Sequence, residues 1–357
     1  MGTLRFLLAL AVLLYHMSGF PLFGLPLAEL MVRPVSGKPA VEAFFIISGF
    51  AMAGALSTRY GEGPTSRFYM SRVLRLYPAY LLALAFEIVA AATIWRPGPL
   101  MPGDLTLAYA GQPLGDRLLW TLSNLAIVGK ELWFLVDLPT QFVQPAWSLS
   151  IELQFYLLIP FIVRWPTRRL VALFAVAAGY RVLLFAEAGY VPATYFSLPW
   201  HFSLFLIGVL SYRLLGHWQA VAPRIAVWPA AAVILLTVLF PHYTEGEDRA
   251  DWLKIGYWAA LFFTLPLLSR LSEESRVDAF LGDLSYPVYL ANLGIIYSVI
   301  GLQPMLRLGP VAAVAAVIGA SVAIAVLVVL AIDRPMTRLR RALAARRRPF
   351  RVAEAMP

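Results

Sequence analysis

The chain contains no cysteine. That excludes a disulfide framework, a thiol nucleophile and a thiolate-ligated metal. Charge is scarce as well: Asp, Glu, Lys and Arg make up 14% of 357 residues, against 60% apolar ones. A soluble domain is about 25% charged and roughly 45–50% apolar. With a mean hydropathy of +0.73, most of this chain suits a non-aqueous setting. Lysine is nearly missing, present only as Lys38, Lys130 and Lys254, so arginine supplies almost all of the net charge of +9. The four histidines, His16, His201, His217 and His242, are scattered without metal-ligand spacing, and no metal is expected. A basic balance also suits nucleic acid. Here, however, it is confined to short loops and a tail, the distribution of positive-inside topology, and no nucleic-acid partner is expected.

Apolar runs long enough to cross a bilayer lie at about 3–21, 40–57, 76–95, 146–164, 169–187, 198–215, 227–241, 252–269, 281–301 and 311–332. Basic clusters punctuate them at Arg59-Arg67-Arg72-Arg75, Arg164-Arg168-Arg169, Arg213-Arg224, Arg270-Arg276 and Arg334 to Arg351. The loop HYTEGEDRAD at 242–251 is acidic instead. All five clusters share one side only if residues 96–145 start and finish on the other. The apolar piece inside that stretch, LLWTLSNLAIV at 118–128, is short and polar in its middle. The expected fold is therefore an all-α membrane protein. It is a bundle of about ten transmembrane helices with one re-entrant or interfacial helix, and both termini are cytoplasmic. No small-x-small cleavage site closely follows the first run, so a retained span is expected rather than a signal peptide. The end of the chain, 336–357, reads as a basic cytoplasmic tail that fixes topology and is suited to anionic lipid.

The first run, RFLLALAVLLYH, places Arg5 and His16 on nearly one helix face, ~16 Å apart. That is roughly half a bilayer core, with Arg5 near the inner face and His16 in the outer half. The second run opens with Glu42 near the outer face. In the run that opens PAWSLSIELQFY, residues Ser148, Glu152 and Tyr156 recur every fourth position and share a face. His16, Glu42 and Glu152 can thus converge at one level, where a carboxylate-oriented histidine serves as general base. At the inner level Arg5, Arg72 and Arg75 form a layer of guanidiniums suited to a polyphosphate. Ser285, Tyr289 and Asn292 make a polar stripe that either lines a ligand channel or knits helices together. Arg181 is placed to meet Glu187 or a substrate, and His201 with Trp200 to touch a sugar.

These motifs, Arg5-x10-His16, VEAFFIISGF at 41–50, RVLRLYPAY at 72–80, WSLSIELQFYLLIP at 147–160, LGDLSYPVYLAN at 281–292 and IDRP at 332–335, resemble the acyltransferase-3 family of integral membrane O-acyltransferases. The resemblance implies a transmembrane acyltransferase domain over residues 1–335. It also implies transfer of an acyl group, most commonly acetyl, from cytoplasmic acyl-CoA (acetyl-CoA) to a hydroxyl of an extracytoplasmic glycan, such as exopolysaccharide or lipopolysaccharide. His16 would be the essential histidine, either as general base or as a brief covalent carrier of the acyl group, with Glu42 and Glu152 at the family's acidic positions and Arg5, Arg72 and Arg75 holding the donor. Ser148, Tyr156, Tyr289, Asn292 and Arg181 would meet substrate. Asn292 departs from the family pattern, since many relatives carry histidine there. The expected location is the bacterial cytoplasmic membrane. A small-molecule or glycolipid acceptor is the alternative within the enzyme class, and a transporter, flippase or scaffold subunit the alternative outside it.

Overall fold

Each of the ten apolar runs folds as a helix, the local structure that satisfies backbone N–H and C=O groups within a segment when water is absent. The computed structural model describes residues 1–23, 37–60, 64–95, 111–130, 142–188, 195–214, 223–239 and 249–345, and among them there is no strand. In chain order the helices are α1 (Gly2–Ser18), α2 (Gly37–Thr58), α3 (Thr65–Thr93), α4 (Leu114–Ala126), α5 (Ala146–Ile162) and α6 (Thr167–Ala188). They continue with α7 (Leu198–Arg213), α8 (Pro223–Leu239), α9 (Arg249–Leu271), α10 (Arg276–Leu306), α11 (Pro310–Val328) and α12 (Arg334–Ala345). A π turn at Val329–Asp333 carries α11 into α12. Five stretches are long and apolar enough to cross a bilayer: Gly37–Thr58, Thr65–Thr93, Thr167–Glu187, Arg276–Leu306 and Pro310–Leu339. Gly2–Ser18, Ala146–Ile162 and Val227–Thr237 are apolar but shorter. The chain is a multi-pass membrane protein.

The largest boundary difference from the sequence reading is at α3, which begins at Thr65 rather than near residue 76. Arginine is a good helix former, so Arg67, Arg72 and Arg75 extend the apolar helix instead of forming a loop. The apolar piece at 118–128 lies on α4, only 13 residues long, with Leu118, Leu122 and Leu125 turned outward. Helices leave their last carbonyls without internal partners. On α4 two of these, at Asn124 and Ala126, accept from the hydroxyls of Tyr80 and Tyr77 on α3. Ile127 (φ 65°) and Gly129 (φ 87°) then turn the chain, and the Gly129 N–H reaches Ser150 Oγ at 3.1 Å. Much of the tail, from residue 346 onward, lies outside the described residues.

Lipid tails are as apolar as leucine, so helices associate through close contact at small residues rather than by escaping water. Gly49 and Gly208 show this between α2 and α7. A Cβ at Gly49 would lie 2.0 Å from the Phe205 carbonyl oxygen, and one at Gly208 would lie 1.9 Å from that of Ile46. The glycine of the ISGF motif is therefore a helix-crossing residue. At the α1–α10 crossing, a Cβ at Gly282 would meet Arg5 Nη2 at 2.4 Å. Register there is set by Asp278, which accepts from the Gly2 N–H at 2.6 Å and the Thr3 N–H at 2.8 Å. A carboxylate at this end complements the positive pole of the helix dipole. With the first turn pinned, Arg5 falls beside Gly282 and His16 beside Asn292.

Candidate functional site

Two chambers lie one beyond the other inside the bundle. The inner chamber, about 130 Å³, is lined by Arg5, Ser48, Arg75, Glu152, Tyr156 and Tyr289 among others. The outer chamber, about 380 Å³, is lined by His16, Lys38, Gln144, Trp147, Tyr195 and again Tyr289. Val41 and Tyr289 line both. Tyr289 is therefore part of the partition. Its hydroxyl is 2.8 Å from Ser148 Oγ, and its ring packs on Phe44 with centroids 5.7 Å apart.

Within the inner chamber, Ser48 donates to Glu152 Oε1 at 2.6 Å, and the Tyr156 hydroxyl donates to the same oxygen. Glu152 is thus held by one residue of α2 and by the next turn of its own helix. Among the described residues no carboxylate lies within 4.0 Å of the Arg5 or Arg75 guanidinium. Neither guanidinium forms an ion pair, and the two outnumber the one carboxylate, Glu152, that lines the same small chamber, which favours a further anion there. A cavity of about 130 Å³ admits a narrow chain but not a nucleotide.

Arg72 is placed differently. It is 5% exposed and packs on the rings of Phe68 and Tyr156, 5.5 and 6.0 Å from their centroids. Its Nη1 donates to Met52 Sδ at 3.4 Å, and it does not line the inner chamber. The i,i+3 spacing of Arg72 and Arg75 predicts a shared direction, but Met52 and Tyr156 intervene between Arg72 and the cavity.

The histidine is oriented by an amide rather than a carboxylate. His16 Nδ1 lies 2.9 Å from Asn292 Oδ1, while Asn292 Nδ2 donates to the Tyr289 carbonyl at 2.8 Å. The second bond fixes which end of the amide faces the ring, so Nδ1 carries the proton and donates. That leaves the Nε2 lone pair for an incoming proton, and among the described residues the ring's hydrogen bond is the one at Nδ1. A neutral imidazole with one nitrogen tethered and the other free is the geometry of a general base.

The expected convergence of His16, Glu42 and Glu152 does not form. Glu42 is 1% exposed and pairs with Arg181 Nη2 at 2.7 Å, while Glu152 faces the inner chamber. Arg181 therefore meets Glu42 rather than Glu187. An unpaired buried charge is costly, so two intramembrane ions of opposite sign at one depth find each other. His201 is fully buried; its Nε2 donates to the Tyr195 carbonyl at 2.7 Å. It stacks behind Phe45 and Trp147, and it is Trp147 and Tyr195 that face the outer chamber. Ser285 lines the inner chamber and bonds its own helix at the Gly282 carbonyl.

Sequence reasoning passes over two buried groups. Glu87 on α3 is wholly buried, and Lys130, after α4, is 1% exposed with its Nζ 3.1 Å from Asn124 Oδ1. An isolated acid inside an apolar run is the available signal for Glu87.

A family model described as an acyltransferase domain matches residues 2–330, nearly the whole chain. The chain belongs to the acyltransferase-3 family. A Staphylococcus aureus protein named "Putative O-acetyltransferase" is 21% identical over 320 residues, 82% of this chain and 50% of its own length. A Komagataeibacter xylinus protein named "Putative membrane-bound transacylase BcsY" is 29% identical over 273 residues, covering 71% of this chain and 65% of the relative. A Haemophilus influenzae protein with no assigned function is 30% identical over 126 residues, 34% of this chain and 47% of the relative. The chain spans about half to two-thirds of the length of these curated relatives. No solved structure matches.

Proposed function

We propose that the protein is a membrane-bound O-acyltransferase of the bacterial cytoplasmic membrane. It takes an acyl group, most commonly acetyl, from cytoplasmic acyl-CoA and places it on a hydroxyl of an extracytoplasmic glycan such as exopolysaccharide or lipopolysaccharide. The chain crosses about ten times, with both termini cytoplasmic. The observation that carries this reading is the pair of chambers meeting at Tyr289, one bearing unpaired arginines and the other a tethered histidine.

Arg5 and Arg75 stand in the inner chamber, where guanidiniums pair with phosphate oxygens through charge-assisted bonds. The chamber is too narrow for the nucleotide, so the nucleotide stays at its mouth and the slim thioester arm extends past Tyr289 towards His16. In the outer chamber the aromatic faces of Trp147 and Tyr195 offer a platform for a sugar. His16 Nε2 takes the proton from an acceptor hydroxyl as its oxygen bonds to the thioester carbonyl carbon. The carbon–sulfur bond then breaks, and the leaving thiolate takes the proton back from His16. Asn292 keeps Nδ1 protonated throughout, so the base nitrogen is always Nε2.

Proteoliposomes test this reading directly. With acetyl-CoA supplied on the side of the arginine-rich loops and a polysaccharide on the other, acetyl ester should appear on the polysaccharide and free thiol on the donor side. Consumption of acetyl-CoA only when donor and acceptor share a side would contradict it.

A further inference from the structure

A third cavity, about 660 Å³, lies between α6, α7 and α9 and belongs to neither chamber. Its walls are almost wholly apolar: Phe174 and Phe185 from α6, Trp200, Leu204 and Ile207 from α7, and Trp258 from α9. It runs alongside α6 from Val171 to Phe185, fourteen residues or ~21 Å, more than half of a ~30 Å hydrocarbon core. Val182 and Ile255, which line it, are also among the exposed apolar side chains, so it is continuous with the outer apolar surface of a multi-pass membrane protein. These dimensions fit one extended hydrocarbon chain.

The polar groups present argue against a charged headgroup inside. Arg181 is neutralised by Glu42 at 2.7 Å and sandwiched between the rings of Trp200 and Trp258, at 4.9 and 4.7 Å. The Trp258 Nε1–H is buried without a partner among the described residues, a donor suited to a linkage oxygen. The wall towards the outer chamber is one helix thick. Trp200 lines the lipid-side cavity, while its neighbour His201 stacks on Trp147, which lines the outer chamber, with ring centroids 6.0 Å apart. A chain seated here has its headgroup at the rim of the α7 N-terminus, beside the outer chamber.

We infer that this cavity seats the hydrocarbon tail of a lipid-linked saccharide, the acceptor of the reaction. The identity of the headgroup rests on the function proposed above; occupancy by a chain does not.

The test uses the full chain in lipid nanodiscs and hexadecyl glucoside carrying a diazirine in its alkyl chain. Irradiation should label peptides of α6, α7 and α9. Excess unmodified hexadecyl glucoside should compete, and phosphatidylcholine should not. Ala178→Phe and Ala259→Phe, which fill the cavity, should each lower labelling of α6, α7 and α9, because the added ring takes the space of the chain. Should a variant fold poorly, competition in the unmodified protein still decides between a tail site and bulk lipid. Labelling spread over all lipid-facing helices, or displaced equally by phosphatidylcholine, would overturn the inference in favour of ordinary bilayer lipid. Labelling should persist in His16→Ala, so a failure of the acyl-transfer chemistry is distinguishable from a failure of the tail site.

Discussion

His16 Nδ1 stands 2.9 Å from Asn292 Oδ1, joining α1 to α10 at the wall of the outer chamber. The amide fixes the imidazole tautomer without placing a second charge beside it. Asn292→Leu removes the acceptor, and loss of one buried hydrogen bond costs about 1–3 kcal/mol. Turnover should fall roughly 5- to 150-fold, with the KM for acetyl-CoA unchanged. Asn292→Asp keeps an acceptor on Nδ1–H and should retain more activity than the leucine variant. Steady-state kinetics on the two proteins checks the order, which reverses if Asn292 only fills space.

The arginines should separate by role. Arg5→Ala and Arg75→Ala remove unpaired guanidiniums from the inner chamber, and each lost charge-assisted bond costs about 1.5–3 kcal/mol. The KM for acetyl-CoA should rise roughly 10- to 150-fold. Arg72→Ala should instead lower the melting temperature with little change in donor binding, because Arg72 packs on Phe68 and Tyr156. Calorimetry with acetyl-CoA and a thermal scan on all three variants gives the answer. Equal loss of donor binding in Arg72→Ala would place that residue at the phosphates.

Tyr289 partitions the chambers, so Tyr289→Ala should join them and admit water to the thioester. Free thiol released in the absence of acceptor should increase while transfer to glycan falls. Tyr289→Phe keeps the ring and loses the hydroxyl's bonds to Ser148 and to the Pro145 carbonyl, so it should fall between. A thiol-reactive dye follows both reactions; parallel decline of hydrolysis and transfer would show that Tyr289 is no barrier.

Glu42 and Arg181 should behave as a structural pair. Removing one partner leaves a buried charge, at about 3–5 kcal/mol, so Glu42→Leu should be strongly destabilised. The double variant Glu42→Leu with Arg181→Leu should recover most of the stability and, because the glutamate faces neither chamber, most of the activity. A stable but inactive double variant would return Glu42 to a catalytic role.

Much of the architecture is legible in the sequence because a bilayer leaves few choices: the ten apolar runs fold as ten helices, with ends displaced by a few residues at most positions. The exception is α3, because arginine marks a loop by charge but favours a helix by propensity. Spacing also places Arg5 and His16 in separate compartments, since both lie on one straight helix. Partnerships between helices are not legible. That Glu42 chooses Arg181 over His16 depends on how α2, α6 and α7 cross. Gly49 and Gly208 set the α2–α7 crossing through close approaches that a one-dimensional pattern does not contain. Asn292 stands out in the sequence for departing from the family pattern, and only the structure connects it to the imidazole.

The most direct measurement compares His16→Ala with His16→Gln for turnover, donor affinity and melting temperature. Loss of general acid–base catalysis lowers turnover about 10²–10⁴-fold. Both variants should show at least that loss, with acetyl-CoA affinity and melting temperature near those of the unmodified protein, because Arg5 and Arg75, the residues proposed to hold the donor, line the other chamber. Glutamine preserves a hydrogen bond to Asn292 but supplies no base nitrogen. An active His16→Gln enzyme, with His16→Ala unstable, would contradict the assignment of the chemistry to His16 Nε2.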